Sequence, residues 1–247
     1  MVLPRIIIVL LLMLGCVEAL AACERTLKVA ASGVWGAQRE QQLTESAIDQ
    51  EWLRAIADSA GFCLQAESRE TLIARRLALL ESGVVDVLVG ASRTPDRERY
   101  AWFSRPYRDE RVLLFVRAEQ RKQFQHVRQF ADLQQLPLPW LAVRDSWLGP
   151  GYANARQQLL KNQRVFEFDA YPQGLAMLRY GRGHLLLAPD AFAHFLKQEA
   201  VSDIVSLPTV IHREPVFFML SKASVTTDEL ARFDNALLQV QKQRGLR

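Results

Sequence analysis

Residues 81–107 read ESGVVDVLVGASRTPDRERYAWFSRPY, and the order of chemical types in this stretch decides the fold. A helix closes at Gly83, and Val84-Val85-Asp86-Val87-Leu88-Val89 is a β-branched, apolar run. Its length and composition are those of a strand buried on both faces, which belongs in a parallel sheet covered by helices. Ser92-Arg93 leave the strand, and Thr94-Pro95-Asp96 open a short helix with an N-cap hydroxyl, a proline in the first turn and an acid. Arg97 falls in that first turn, and Phe103-Ser104-Arg105-Pro106-Tyr107 forms an aromatic exit stiffened by proline. In open α/β sheets ligands bind beyond the carboxyl ends of strands. The hydroxyls of Ser92 and Thr94 beside the guanidinium of Arg97 therefore suit a carboxylate clamp. The plainer reading of Arg97 is a surface ion pair with Asp96 or Glu98.

Toward the N-terminus, Thr26–Ala31 alternates as a strand, and Gly33-Val34-Trp35-Gly36 forms the loop at its carboxyl end. A helix is expected over Ile48–Ala60, with Ile48, Trp52, Ile56 and Ala60 on one stripe. Cys63–Ala66 reads as the next strand and Thr71–Ser82 as the next helix. Toward the C-terminus, Glu110–Arg117 is a long strand, followed by a polar helix near Gln129–Gln135 and a strand at Leu138–Val143. The loop Arg144–Gly151 precedes a helix over Tyr152–Lys161; its Gly-Pro-Gly offers either an anion cradle at a helix N-terminus or an ordinary turn. A strand at Arg164–Phe168 leads to a helix over Pro172–Tyr180. Gly181-Arg182-Gly183-His184 then turns into the apolar strand Leu185–Ala188, ending at Pro189-Asp190. Helix, glycine turn, apolar strand and polar exit thus repeat the order of residues 80–92. Asp190 suits an N-cap for a helix over Ala191–Gln198. Strands at Ile204–Leu207 and Arg213–Leu220 and a helix over Thr227–Gln243 complete the chain.

The 247 residues, 49% hydrophobic and 23% charged, are enough for two small α/β units of ordinary globular composition. The net charge of +4 is spread along the chain without a basic run, so no nucleic acid partner is indicated. Arg5, the apolar Ile6–Leu14 and Ala19-Leu20-Ala21 have the layout of an export signal over 1–21. Its removal leaves Cys23 and Cys63, a lone pair that in an oxidising compartment reads as a disulfide between neighbouring strands. The alternative is acylation of Cys23 in a lipoprotein box at Leu20–Cys23. His126, His184, His194 and His212 are scattered, with no metal-ligand spacing and no nucleophile motif, so neither a metal nor a cofactor is expected.

The set Leu80, Gly83, Asp86, Thr94, Arg97, Phe103, Ser104, Pro106 and Tyr107 resembles the L-x-x-G-x-x-D, T-x-x-R and F-S-x-P-Y signature of the periplasmic solute-binding proteins of family 3, the polar amino-acid-binding type. The resemblance implies a two-lobed, type II periplasmic-binding-protein-like α/β fold, each lobe a mostly parallel sheet flanked by helices, with two crossing strands. Lobe one would take residues 24–116 plus 216–247, and lobe two 117–215. It implies a monomer that captures an amino acid or similar carboxylate in the interlobe cleft for a membrane ABC permease. In that family an aromatic at the place of Trp35 stacks on the ligand; a core-capping tryptophan is the alternative. The aspartate at the place of Asp190 takes the α-ammonium. Ser146 stands where the family has a Gly-Thr or Gly-Ser pair. Two other functions use this architecture: a cyclic dehydratase of the prephenate type, for which Asp190, Glu214 and His212 are the acid–base candidates, and a sensor that feeds no transporter.

Overall fold

A computed structural model describes residues 23–32, 35 and 47–245, so the expected export segment 1–21 lies outside it. In chain order the elements are β1 (Arg25–Ser32), α1 (Ala47–Ala60), β2 (Phe62–Thr71), α2 (Ile73–Glu81), β3 (Val87–Ala91), α3 (Pro95–Glu98), β4 (Ala101–Phe103) and β5 (Arg108–Arg117). A 3-10 helix (Ala118–Phe124) and α4 (Phe130–Gln135) lead to β6 (Trp140–Val143), α5 (Pro150–Lys161), β7 (Val165–Phe168) and α6 (Tyr171–Arg179). The chain continues through β8 (Leu186–Pro189), α7 (Ala191–Gln198), β9 (Ile204–Ser221) and α8 (Thr227–Gln243).

The strands are ordered β2-β1-β3-β9-β5-β8-β6-β7, with β4 also on β9. Each end of this path is parallel, β2 with β1 and β3 on one side, and β7 with β6 and β8 on the other. The antiparallel β5 and β9 lie between them. Helices cover both faces of each end: Trp52 and Ile56 of α1 meet Phe233 and Leu237 of α8 over Val29 and Val87, and α2 packs Leu79 and Leu80 on the other face. In the second half Tyr152 and Leu159 of α5 cover one face, and Tyr171 and Phe192 the other. Burial of both faces is why the central strands are continuous apolar runs. Among the described residues no helix is long and apolar enough to cross a membrane.

Three local expectations need correction. Val84 is exposed, and the N–H groups of Val84 and Val85 donate to Leu79 O, so these valines close α2 and the strand begins at Val87. On α1 the core stripe is Trp52, Leu53, Ile56, Ala57 and Ala60, with Ile48 in solvent. The two strands expected at Ile204–Leu207 and Arg213–Leu220 are one strand, β9. Pro208 interrupts the hydrogen-bonding pattern without ending the strand, because register shifts between Val112↔His212, Leu113↔Val210 and Phe115↔Ser206 place it in a bulge. Val112, Leu114 and Val116 of β5 pack with Trp140 and Leu187, and Leu113 and Phe115 with Phe192. We propose that the halves meet at Arg111/Val112 and Pro215/Val216.

Cys23 and Cys63 form a disulfide beside the paired strands β1 and β2, with Cα atoms 5.5 Å apart. A sulfur held in this bond carries no acyl group. Asp86 is buried and accepts from Lys28 N at 2.7 Å, Ser224 Oγ at 2.6 Å and Arg25 Nη2 at 2.9 Å, which ties β1 and the turn before α8 to the start of β3.

Candidate ligand site between the two halves

The carboxyl end of β3 is shaped by Gly90, whose φ of +61° suits glycine. A Cβ there would lie 3.4 Å from Asp49 Oδ2 and 3.6 Å from Arg108 Nη2. Gly90 N–H donates to Tyr107 Oη at 3.0 Å, and that hydroxyl donates to Asp49 Oδ1 at 2.6 Å. Arg108 grips the same carboxylate with Nε at 2.8 Å and Nη2 at 3.1 Å. Burial alone would lower the Arg108 pKa, but its pairing with Asp49 reverses the sign and raises it. The strand end and the start of α1 are thereby locked to the first residues of β5.

Thr94 caps α3 by accepting Arg97 N–H at 3.4 Å, and Arg97 Nη1 turns back to donate to Ser92 O at 3.0 Å. Burial lowers the Arg97 pKa, with Tyr100 and Glu214 opposing the change. Arg97 is in neither expected surface pair: Asp96 binds Arg99 and Glu98 binds Arg93. It lines a cavity of about 100 Å³ between the halves, together with Ser92, Arg76, Arg108 and Glu110. From the second half Ser146, Trp147 and Tyr171 complete the wall.

Of the residues expected at the site, Arg97, Ser92, Trp35 and Ser146 share this cavity. Trp35 also packs on the second half, its ring centroid 4.3 Å from that of Tyr171 and 5.7 Å from that of Phe195. Thr94 does not line the cavity; its hydroxyl is used in the cap. Asp190 does not line it either, because its carboxylate pairs with Arg111 Nε at 2.9 Å. Its side chain makes no N-cap hydrogen bond to α7. The other acid–base candidates, His212 and Glu214, stand 3.1 Å apart; Glu214 also accepts from Trp147 Nε1 at 3.0 Å, and neither lines the cavity. In the Gly-Pro-Gly loop, a Cβ on Gly149 would come 2.6 Å from His212 Cγ, and one on Gly151 2.9 Å from Phe130 Cδ1. Those glycines serve close packing. Among the described residues no cluster of three His, Cys, Asp or Glu side chains is arranged to hold a metal.

Arg76 and Glu110 are among the cavity residues that escaped the sequence reading. Arg76 is 6% exposed and faces the same space as Arg97; burial, then the neighbouring charge of Arg97, pushes its pKa down to about 10. The signal was present, since Ile73, Arg76, Leu77 and Leu80 fall at i, i+3, i+4 and i+7, so the arginine sits on the buried stripe. Glu110 shares a strand face with Arg108 and the buried Val112, which the period of two could have revealed.

Two α/β halves joined by a pair of strands around a polar cavity define a bilobal binding protein. The chain belongs to the bacterial extracellular solute-binding proteins, family 3, whose profile matches residues 39–245. Similar solved structures include a mutant of ArgBP from T. maritima, with 21% identity over 89% of this chain and 90% of that one at a TM-score of 0.68. The amino acid ABC transporter substrate-binding protein AbpA from Streptococcus pneumoniae, bound to L-arginine, has 19% identity over 89% and 90% at 0.69. A histidine kinase sensor domain similar to periplasmic binding proteins has 18% identity over 89% and 91% at 0.70. At these identities the likeness establishes the fold. No curated protein matches the chain.

Proposed function

We propose that the protein is exported, works as a monomer outside the cytoplasm, and captures a small amino acid or related carboxylate between its halves for an ABC-type permease. The observation that carries this reading is Arg97, a half-buried guanidinium held by the backbone of Ser92 at a strand's carboxyl end, inside a cavity walled by both halves. A guanidinium so placed offers paired donors to a carboxylate, in surroundings that strengthen the contact. Walls from two halves favour the closed arrangement only through a ligand that touches both, which couples occupancy to closure. The disulfide supports an oxidising destination. The position of AbpA among similar structures supports transport.

The test begins with a thermal-shift screen of purified protein against amino acids and small carboxylates. A ligand at a hundred times its Kd stabilises by about 2.7 kcal/mol. Calorimetric titration of the best ligand then compares wild type with Arg97→Ala and Arg97→Lys. The alanine variant is expected to lose about 2–5 kcal/mol of binding while folding normally, and the lysine to recover part of it. Binding by Arg97→Ala as tight as by wild type would refute the carboxylate clamp.

A further inference from the structure

The cavity that Arg97 lines is small. Its volume of about 100 Å³ lies well below the roughly 300–1,000 Å³ of sites that enclose larger molecules. Beside it, on the second half, is a more open space of about 440 Å³, lined by Leu175 and Arg179 of α6, Phe195 of α7 and Glu199 after it. Among the described residues Trp35 is the one that lines both spaces, so its indole is the partition between them. The second half holds that partition in place. The Trp35 ring centroid is 4.3 Å from that of Tyr171 and 5.7 Å from that of Phe195. Tyr171 is 2% exposed, stacks on Phe192 with centroids 4.7 Å apart and meets Phe168 edge-on at 5.7 Å. A flat group held between two rings parts them by roughly 7–8 Å, twice the contact distance of carbon atoms. At 4.3 Å nothing fits between Trp35 and Tyr171, and the two rings form one wall. Tyr171 is part of the core of the second half, whereas Trp35 is half-buried and packs against that core from outside.

We infer that Trp35 sets the length of the ligand: with its indole on Tyr171 the cavity takes a short-chain carboxylate or amino acid, and a longer chain needs the outer space that the indole shuts off. This rests on the reading of the cavity as a carboxylate site. A ligand held at Arg97 has the rest of its chain within the same walls, and those walls are Trp35 and Tyr171 on the side of the outer space. Overfilling a packed site forces side chains off their preferred rotamers. One methylene group too many in a closed apolar pocket is worth about 10–200-fold in discrimination. Taking away the indole joins the two spaces, so the length limit should go with it. The tyrosine side of the wall remains, because Phe168 and Phe192 hold Tyr171 independently of Trp35.

The experiment uses four probe pairs that share their end groups and differ in chain length: L-alanine with L-norleucine, L-aspartate with L-2-aminoadipate, L-2,3-diaminopropionate with L-lysine, and propionate with hexanoate. Each is titrated by calorimetry against wild type, Trp35→Ala, Trp35→Leu and Arg97→Ala, with melting curves to confirm folding. In every pair that binds, wild type should favour the short member by at least about tenfold. Trp35→Ala should erase or reverse that preference, and Trp35→Leu, which keeps an apolar side chain without the span of the ring, should reduce it. The ratio within a pair is the quantity to read, because the lost contact with Tyr171 weakens closure on both members alike. A long member that binds wild type as tightly as its short partner overturns the inference. So does a folded Trp35→Ala variant with an unchanged ratio, since Trp35 would then be a closure contact only. If Arg97→Ala weakens both members in either event, the carboxylate site survives without the length limit. Failure of all eight probes to bind wild type overturns the underlying reading, and this inference with it.

Discussion

The two halves contain the same helix–turn–strand unit and fill its polar position differently. In the first, Gly83 N–H bonds Leu80 O and Val84 N–H bonds Leu79 O; in the second, Gly181 bonds Leu178 and Arg182 bonds Met177 in the same pattern. Both glycines have positive φ, +74° and +70°. Asp86 N–H then donates to Lys28 O, and His184 N–H to Pro139 O, so Asp86 and His184 occupy equivalent places. Asp86 gathers three partners there and holds the sheet to the turn before α8. His184 has a buried Nδ1 without a hydrogen bond among the described residues, and burial lowers its pKa, which favours the neutral ring. One backbone frame thus accepts either an ionic knot or an uncharged filler. The exits differ as well: after β3 the chain delivers Arg97 to the cavity, whereas after β8 it pairs Asp190 with Arg111.

The first half also has the only described disulfide, and removing it is the strongest blow to that side. Replacing both Cys23 and Cys63 with serine releases a loop whose ends are 40 residues apart. The expected loss in urea unfolding is about 4 kcal/mol on the chain-entropy estimate. Next comes Asp86→Ala, which strands the buried ends of Lys28 N–H and Ser224 and partly frees Arg25. A loss of about 3 kcal/mol is expected, discounted for the partial exposure of Arg25. His184→Ala should cost under about 1 kcal/mol beyond its lost packing. Equal losses at the two sites would break the comparison, because the ionic knot would then be worth no more than the filler.

A separate, pH-dependent effect lies at the junction. The folded-state pKa of Glu110 is raised from 4.5 to about 7, so its contribution to stability is intact below about pH 4.5 and is lost as pH rises through about 7. Without ligand, Glu110→Gln should match wild type near pH 4.5 and exceed it at about pH 8 by about 1–3 kcal/mol, read from melting curves. Loss of the contact with Arg108 trims that gain. A variant less stable than wild type at the higher pH would show that Glu110 is a structural ion-pair partner first.

Much of the architecture was legible because strands buried on both faces, glycine turns and helical stripes leave strong periodic marks. Arg97 was legible for the same reason, since Thr94-Pro95 sets the cap that aims it. What escaped depended on contacts between distant segments. The charged residues 108–111 gave no sign of a site until Asp49, 59 residues earlier, is brought against Arg108. The two short strands expected at Ile204–Leu207 and Arg213–Leu220 are one because bulges carry β9 past Pro208. Asp190 copied the expected spacing, yet Arg111 from another strand decided where its carboxylate points.

The route of β9 also sets a schedule for the chain. Residues 112–215 supply the second half from one uninterrupted segment, whereas the first half needs the end of β9 and all of α8. Until α8 emerges, the faces of Trp52 and Ile56 that meet Phe233 and Leu237 have no cover. During synthesis from the N-terminus, the half that is begun first is therefore the last to be finished. A chain truncated before Thr227 would carry a complete second half beside an open first one.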